Sequence, residues 1–156
     1  MTAPAAITVQ IQREPFDAAD EVAALSAGRR DIGAVVTFTG LCRDEDGRLS
    51  ALELEHYPGM AEAEIRRVAE EAARRWAVQG VTAIHRFGKL LPGEPIVLVV
   101  TAAPHRREAF EAAEFVMDFL KTRAPFWKRE HAADGTAGGW VDAKEADDTA
   151  TARWDT

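Results

Sequence analysis

Lys121, Arg123, Lys128 and Arg129 crowd into one short stretch, Asp118-Phe-Leu-Lys-Thr-Arg-Ala-Pro-Phe-Trp-Lys-Arg-Glu130, of a chain whose formal net charge is -7. So local an excess of cations calls for an anion to face. If Lys121 and Lys128 converge, each lowers the other's affinity for a proton, and partial burial acts in the same direction. Such a pair suits holding an anion, or moving protons, near neutral pH. Spacing alone does not bring the two together. Lys121 stands at the margin of a helical apolar stripe, where a snorkelling edge lysine is equally at home, and in an extended segment Lys128 and Arg129 point to opposite faces.

Two further segments share this electrostatic sense, Gly40-Leu-Cys-Arg43 after a strand and His105-Arg106-Arg107 at a helix start. A cation at a helix N-terminus opposes the macrodipole by ~0.3–1 kcal/mol when exposed. An anion held there by free backbone N–H groups and Arg106 would reverse that penalty. The blander alternative pairs Arg106 and Arg107 with Glu108 and Glu111 on the surface. Cys42 beside Arg43 is either a thiol nucleophile or a small apolar-type residue after a strand, and the second reading is preferred. His56, His85, His105 and His131 show no H-x-x-x-H or H-E-x-x-H spacing, so no metal site is expected. His56 and His85 are read as satisfied polar groups within strands, and His105 draws interest only through Arg106.

These residues need a scaffold, and 156 residues suit one domain, 1–156, with 144–156 as a C-terminal tail that folds onto it or orders with a partner. Hydrophobic residues at 47% and charged residues at 29% are ordinary globular values. The acidic balance argues against a non-specific nucleic-acid binder. The single cysteine cannot form an internal disulfide. Met1 to Ile7 lacks a basic stretch followed by an apolar run, and no segment is apolar enough to span a membrane, so a cytoplasmic protein is expected.

Alternation predicts a strand over Ile7–Gln12, and Pro15 and Asp17 start a helix over Ala18–Ala27 that Gly28 stops. Gly33–Thr39 reads as a central strand, Gly40–Ser50 as a loop, and Ala51–Tyr57 as a strand with Leu52, Leu54 and His56 on one face; the two strands are expected to pair as a hairpin. Apolar residues at three- and four-residue spacings predict a helix over Met60–Trp76. Val81–Phe87 and Pro95–Ala102 read as strands around Pro92-Gly93, the second apolar enough to be covered on both faces. A third helix runs from Arg106 to Thr122, with Pro125 forbidding its continuation. Phe126–His131 and Gly139–Ala143 are late strand candidates, and Trp154 is a candidate anchor for the tail.

Gly33-AVVTFTG-Leu41-Cys-Arg43, Leu54-EHYPGM-Ala61, Val81-TAIHRFGKLLPGE-Pro95, His105-RREAFEAAEFVMDFLKTRAPFWKR-Glu130 and Trp140-VDA together resemble the MoaE family, the large subunits of molybdopterin synthase. The resemblance implies an α+β fold of the α/β hammerhead type, a mixed and antiparallel sheet with three main helices. It implies a homodimer within a heterotetramer, with a small ubiquitin-like (MoaD-type) sulfur-carrier subunit at each end. The implied reaction takes sulfur from a thiocarboxylate on the carrier's C-terminal glycine to cyclic pyranopterin monophosphate (precursor Z), forming the dithiolene of molybdopterin, with no cofactor. By position, Lys121 and Lys128 would be catalytic. Leu41, Cys42, Arg43, His105, Arg106, Arg129 and Glu130 would join them in binding substrate, His105 and Arg106 either within their own chain's site or in that of the other large subunit. Some relatives carry lysine at the place of Leu41, where only a backbone contact would survive here. Two alternatives stand beside this reading: a non-catalytic carrier-docking module, and a persulfide-forming sulfurtransferase using Cys42.

Overall fold

The computed structural model describes residues 4–44, 46–122, 126–141 and 154. A four-stranded sheet carries the core, in the order β1 (Ala6–Gln12), β4 (Gly80–Arg86), β6 (Pro95–Ala103), β2 (Ala34–Leu41). β1 and β4 run parallel, and the other two pairings are antiparallel. Side-chain alternation sends the two faces of this sheet to different helices. Val81, Ala83, Val97 and Val99 meet Ile65, Val68 and Ala72 of α2 (Met60–Trp76) and Ala109, Ala113 and Val116 of α3 (Arg106–Thr122). Ile84, Leu98 and Val100 face the other way, against Val22 and Leu25 of α1 (Ala18–Ser26). β6 is thereby covered on both sides, as its unbroken apolar run requires.

Local chemistry sets the helix ends. The Asp17 carboxylate accepts a hydrogen bond from the backbone N–H of Asp20 at 3.1 Å, capping α1. Ala77, in the left-handed region at φ 50°, closes α2. Pro125, the expected barrier after α3, lies outside the described residues.

A second, antiparallel sheet has three strands, β5 (Gly88–Leu90), β3 (Leu49–His56) and β7 (Phe126–Ala132), with β3 in the middle. The expected hairpin of β2 with β3 does not form, since each strand belongs to a different sheet. The hydrogen bonds of β2 go to β6, and beyond the irregularity at Gly40/Leu41 the backbone of Cys42 bonds to the 93–94 turn. Cys42 N–H donates to Glu94 O at 2.8 Å, and Gly93 N–H donates to Cys42 O at 2.7 Å. With these groups committed, the chain leaves the first sheet and reaches β3 through a loop.

The late strand expected over Gly139–Ala143 is reduced, among the described residues, to a bridge between Val141 and Lys128; Asp142 and Ala143 lie outside them. Trp154 seats against Trp76 and Phe115 in edge-on geometry, and its indole N–H donates to Asp118 Oδ2 at 2.5 Å. The rest of the segment read as a C-terminal tail lies outside the described residues.

Candidate active site

β7 has two faces, and the chemistry divides between them. Lys128, Glu130 and Ala132 share one face, directly opposite Leu54, Leu52 and Leu49 of β3. Arg129, on the other face, sets its guanidinium 4.7 Å from the ring centre of Trp140. Alternation thus separates Lys128 from Arg129, as an extended strand demands. In front of the Lys128 face opens a cavity of about 460 Å³, lined by Arg43, Arg48, Leu49, Leu52, Lys128, Glu130 and Ala132. Three cations from the loop and from β7 share this space with one carboxylate.

Lys121 stands in the last turn of α3, directly after buried Leu120. It lines a narrower cavity of about 60 Å³ with Gly40, Leu41, His85, Ile96, Val97, Met117 and Leu120. Leu41 lines the small cavity and Arg43 the large one, so the end of β2 separates the two. They also meet through aromatic rings: His85 stacks on Phe126 at 3.9 Å, and Phe126 precedes Lys128 by two residues on the same face of β7.

Between Leu41 and Arg43, the Cys42 side chain turns inward and is only 2% exposed. Burial pushes its thiol pKa up, and the carboxylates of Glu94, Asp44 and Glu130 push the same way. This is the opposite of what a thiolate nucleophile needs. The Cys42 backbone fixes the loop onto the 93–94 turn.

His105 and Arg106 lie elsewhere in the chain. Arg106 opens α3 and Lys121 is in its last turn, so at ~1.5 Å per residue they are ~22 Å apart along the helix. Arg107 takes the surface role, pairing with Glu111 at 3.1 Å. Arg106 is exposed and has no side-chain partner among the described residues. One chain therefore brings Arg43, Lys128 and Glu130 to a single cavity with Lys121 next door, and leaves His105 and Arg106 at the far end of the helix.

Two polar side chains that line these cavities, Arg48 and His85, lie outside the expected site residues. Arg48 sits in the polar loop before β3; a second arginine following Arg43 across a glycine turn is the signal that would have marked it. His85 read as a satisfied strand histidine, and nothing in the periodicity of β4 places it beside Lys121. His56, expected to be a satisfied strand histidine as well, has its Nδ1 buried without a hydrogen-bond partner.

Set against known proteins, residues 11–123 match the family described as MoaE protein. The chain belongs to the MoaE family. It is 67% identical over 154 residues to the molybdopterin synthase catalytic subunit of Mesorhizobium japonicum, covering 99% of this chain and 97% of that one. The MoaE protein of Burkholderia ambifaria superposes with a TM-score of 0.83 at 50% identity, covering 96% of this chain and 99% of that chain. A Helicobacter pylori structure described as a complex of subunits 1 and 2 of molybdopterin-converting factor shares the fold, with a TM-score of 0.70 at 24% identity, over 88% of this chain and 90% of that chain. This MoaE protein is accordingly an enzyme of molybdenum cofactor biosynthesis and acts as the catalytic subunit of molybdopterin synthase. Its fold is α+β, and among its described residues no helix is long and apolar enough to cross a membrane.

Proposed function

We propose that the larger cavity holds cyclic pyranopterin monophosphate, and that the narrow one beside Lys121 admits the C-terminal thiocarboxylate of a small ubiquitin-like carrier. The observation that carries this reading is the presence of Arg43 and Lys128 in the lining of one cavity, with Lys121 in the lining of a second that the Leu41–Arg43 segment connects to the first. The substrate phosphate is an anion, and guanidinium forks suit it. The thiocarboxylate is an anion too, and the lysine in a slot lined otherwise by apolar residues and the His85 ring offers it a counter-charge. Sulfur attacks a substrate carbon and the carbon–oxygen bond at that carbon breaks, the departing oxygen taking a proton from a lysine, to give a thioester between carrier and substrate. Water then splits the thioester, returning the carrier as a carboxylate and leaving sulfur on the pterin. A second carrier supplies the second dithiolene sulfur. Lys121 and Lys128 hold the charges and move the protons of these steps.

Leu41 and Cys42 border the substrate through their backbone, and Glu130 and Arg129 complete the wall of the site. Arg106, without a side-chain partner among the described residues, fits a role in the site of a second copy, with His105 beside it. Support for a homodimer comes from β2, an edge strand that exposes Val35 and Phe38, and from exposed Phe110 on α3, which packs against β2. Two carriers would complete a heterotetramer. A single buried, unpaired cysteine fits the reducing cytoplasm.

Two substitutions test the assignments around the larger cavity. Arg48→Ala removes one charge-assisted contact to the phosphate, ~1.5–3 kcal/mol, and is expected to raise KM for precursor Z by ~10-fold or more with a smaller change in kcat. An unchanged KM would remove Arg48 from the substrate site. Cys42→Ala is expected to turn over at a near-normal rate; an inactive Cys42→Ala enzyme that still folds would favour persulfide chemistry.

A further inference from the structure

Beside Lys121, the narrow cavity has one polar ring in its wall, that of His85. The ring is fixed from two directions. Its plane lies against Phe126 at 3.9 Å with an interplanar angle of 18°, and its Nδ1 is 2.7 Å from the carbonyl oxygen of Arg86. A carbonyl only accepts, so Nδ1 carries the proton and donates, and Nε2 is left with its lone pair. Nε2 has no hydrogen-bond partner among the described residues, and it is not sealed in the interior. Burial lowers the pKa of this histidine to about 4, with the Lys121 and His56 charges adding to the effect. At neutral pH the ring is uncharged.

The neighbours that hold the ring connect both halves of the site. Arg86, whose carbonyl fixes the tautomer, is anchored by its guanidinium to Arg13 O at 2.8 Å and Pro95 O at 3.0 Å. Phe126, against which the ring stacks, opens the strand that presents Lys128. His56 approaches Phe126 at 6.1 Å and Phe87 at 4.5 Å, closing the aromatic cluster behind His85. A group tied to β4, β7 and the Lys121 cavity at once is placed to set the position of the lysine relative to the strand of its partner.

We propose that His85 is a positioning residue for sulfur transfer: its Nε2 lone pair, unpartnered among the described residues, accepts a hydrogen bond from the Lys121 ammonium when that side chain turns into the cavity the two residues share, and holds it there during the reaction. The inference rests on the reading of Lys121 as a residue at the reaction centre. His85 touches neither the pterin nor the transferred sulfur, and acts through Lys121.

The test uses the assembled enzyme with thiocarboxylated carrier and precursor Z. His85→Phe keeps a ring to stack on Phe126 but has no acceptor. It is expected to lower kcat about tenfold, one hydrogen bond's worth, with KM for precursor Z changed less than about twofold. His85→Gln, which loses the ring but restores an acceptor, is expected to recover part of kcat. A His85→Phe enzyme with kcat near that of the wild type overturns the proposal, as does a His85→Gln enzyme no better than His85→Phe. Should either variant fail to fold, 15N NMR of the imidazoles in the Lys121→Met protein decides instead. The His85 Nε2 resonance should move once the ammonium is gone, and an unmoved resonance overturns the proposal. Lys121→Ala run alongside separates the two levels: full activity there refutes the reading of Lys121, whatever His85 does.

Discussion

Replacing Lys121 by alanine is expected to lower molybdopterin formation by ~10²–10⁴-fold, the usual weight of a positioned proton-transfer group, while the carrier still binds. Lys121 is exposed at the end of α3, so its loss leaves no cavity in the core and should not disturb folding. Leu120 and Met117, which do hold the helix to the sheet, remain in place. The substitution therefore separates chemistry from docking. A module that only docks the carrier's tail predicts that association weakens in proportion to activity. Carrier affinity measured by calorimetry, next to single-turnover product formation, distinguishes the two. If affinity and rate fall together, Lys121 is a docking residue, and the chemistry belongs elsewhere.

The second large effect is on stability. Arg86→Met is expected to cost about 3–5 kcal/mol, because Arg86 is a buried cation whose hydrogen bonds to carbonyls are each worth ~1.5–3 kcal/mol. Its side chain is 8% exposed. Nε and Nη2 donate to Arg13 O at 3.0 and 2.8 Å, Nη1 donates to Pro95 O at 3.0 Å, and Glu94 lies 3.6 Å away. Methionine fills the volume but leaves the carbonyls of Arg13 and Pro95 without these donors. In a domain of this size the melting temperature should fall on the order of 10 °C, and Arg86→Lys, which restores one charged donor group, should recover part of the loss. A shift below about 2 °C for Arg86→Met would show that water replaces the guanidinium at no cost. The effect should extend to the site, because Glu94 accepts from Cys42 N–H and the same turn holds the loop of Arg43.

Periodic features of this chain were legible in its sequence alone. The apolar stripes of α2 and α3 gave both helices their observed bounds, Met60–Trp76 and Arg106–Thr122, since a stripe repeats with the helix and stops when it does. Asp17 as a cap, β6 as a doubly covered strand and Trp154 as an anchor follow from equally local chemistry. What one dimension could not supply was partnership. β2 and β3 are adjacent in sequence and β-rich, yet the hydrogen bonds of β2 belong to β6, and nothing in its residues says so. The same blindness hid His85, remote in sequence from Lys121, and Arg48, which looked like one charge among many in a polar loop. For the cations, sequence supplied the types and the resemblance their roles. The structure divides them between two neighbouring cavities and one distant helix end.

Formation of the dithiolene from defined components tests the central claim most directly. Purified protein, thiocarboxylated carrier and precursor Z, mixed without other enzymes, should yield molybdopterin, with two carriers converted to the carboxylate for each product. Carrier hydrolysis without a dithiolene, or no reaction at all from the folded wild-type protein, would contradict it.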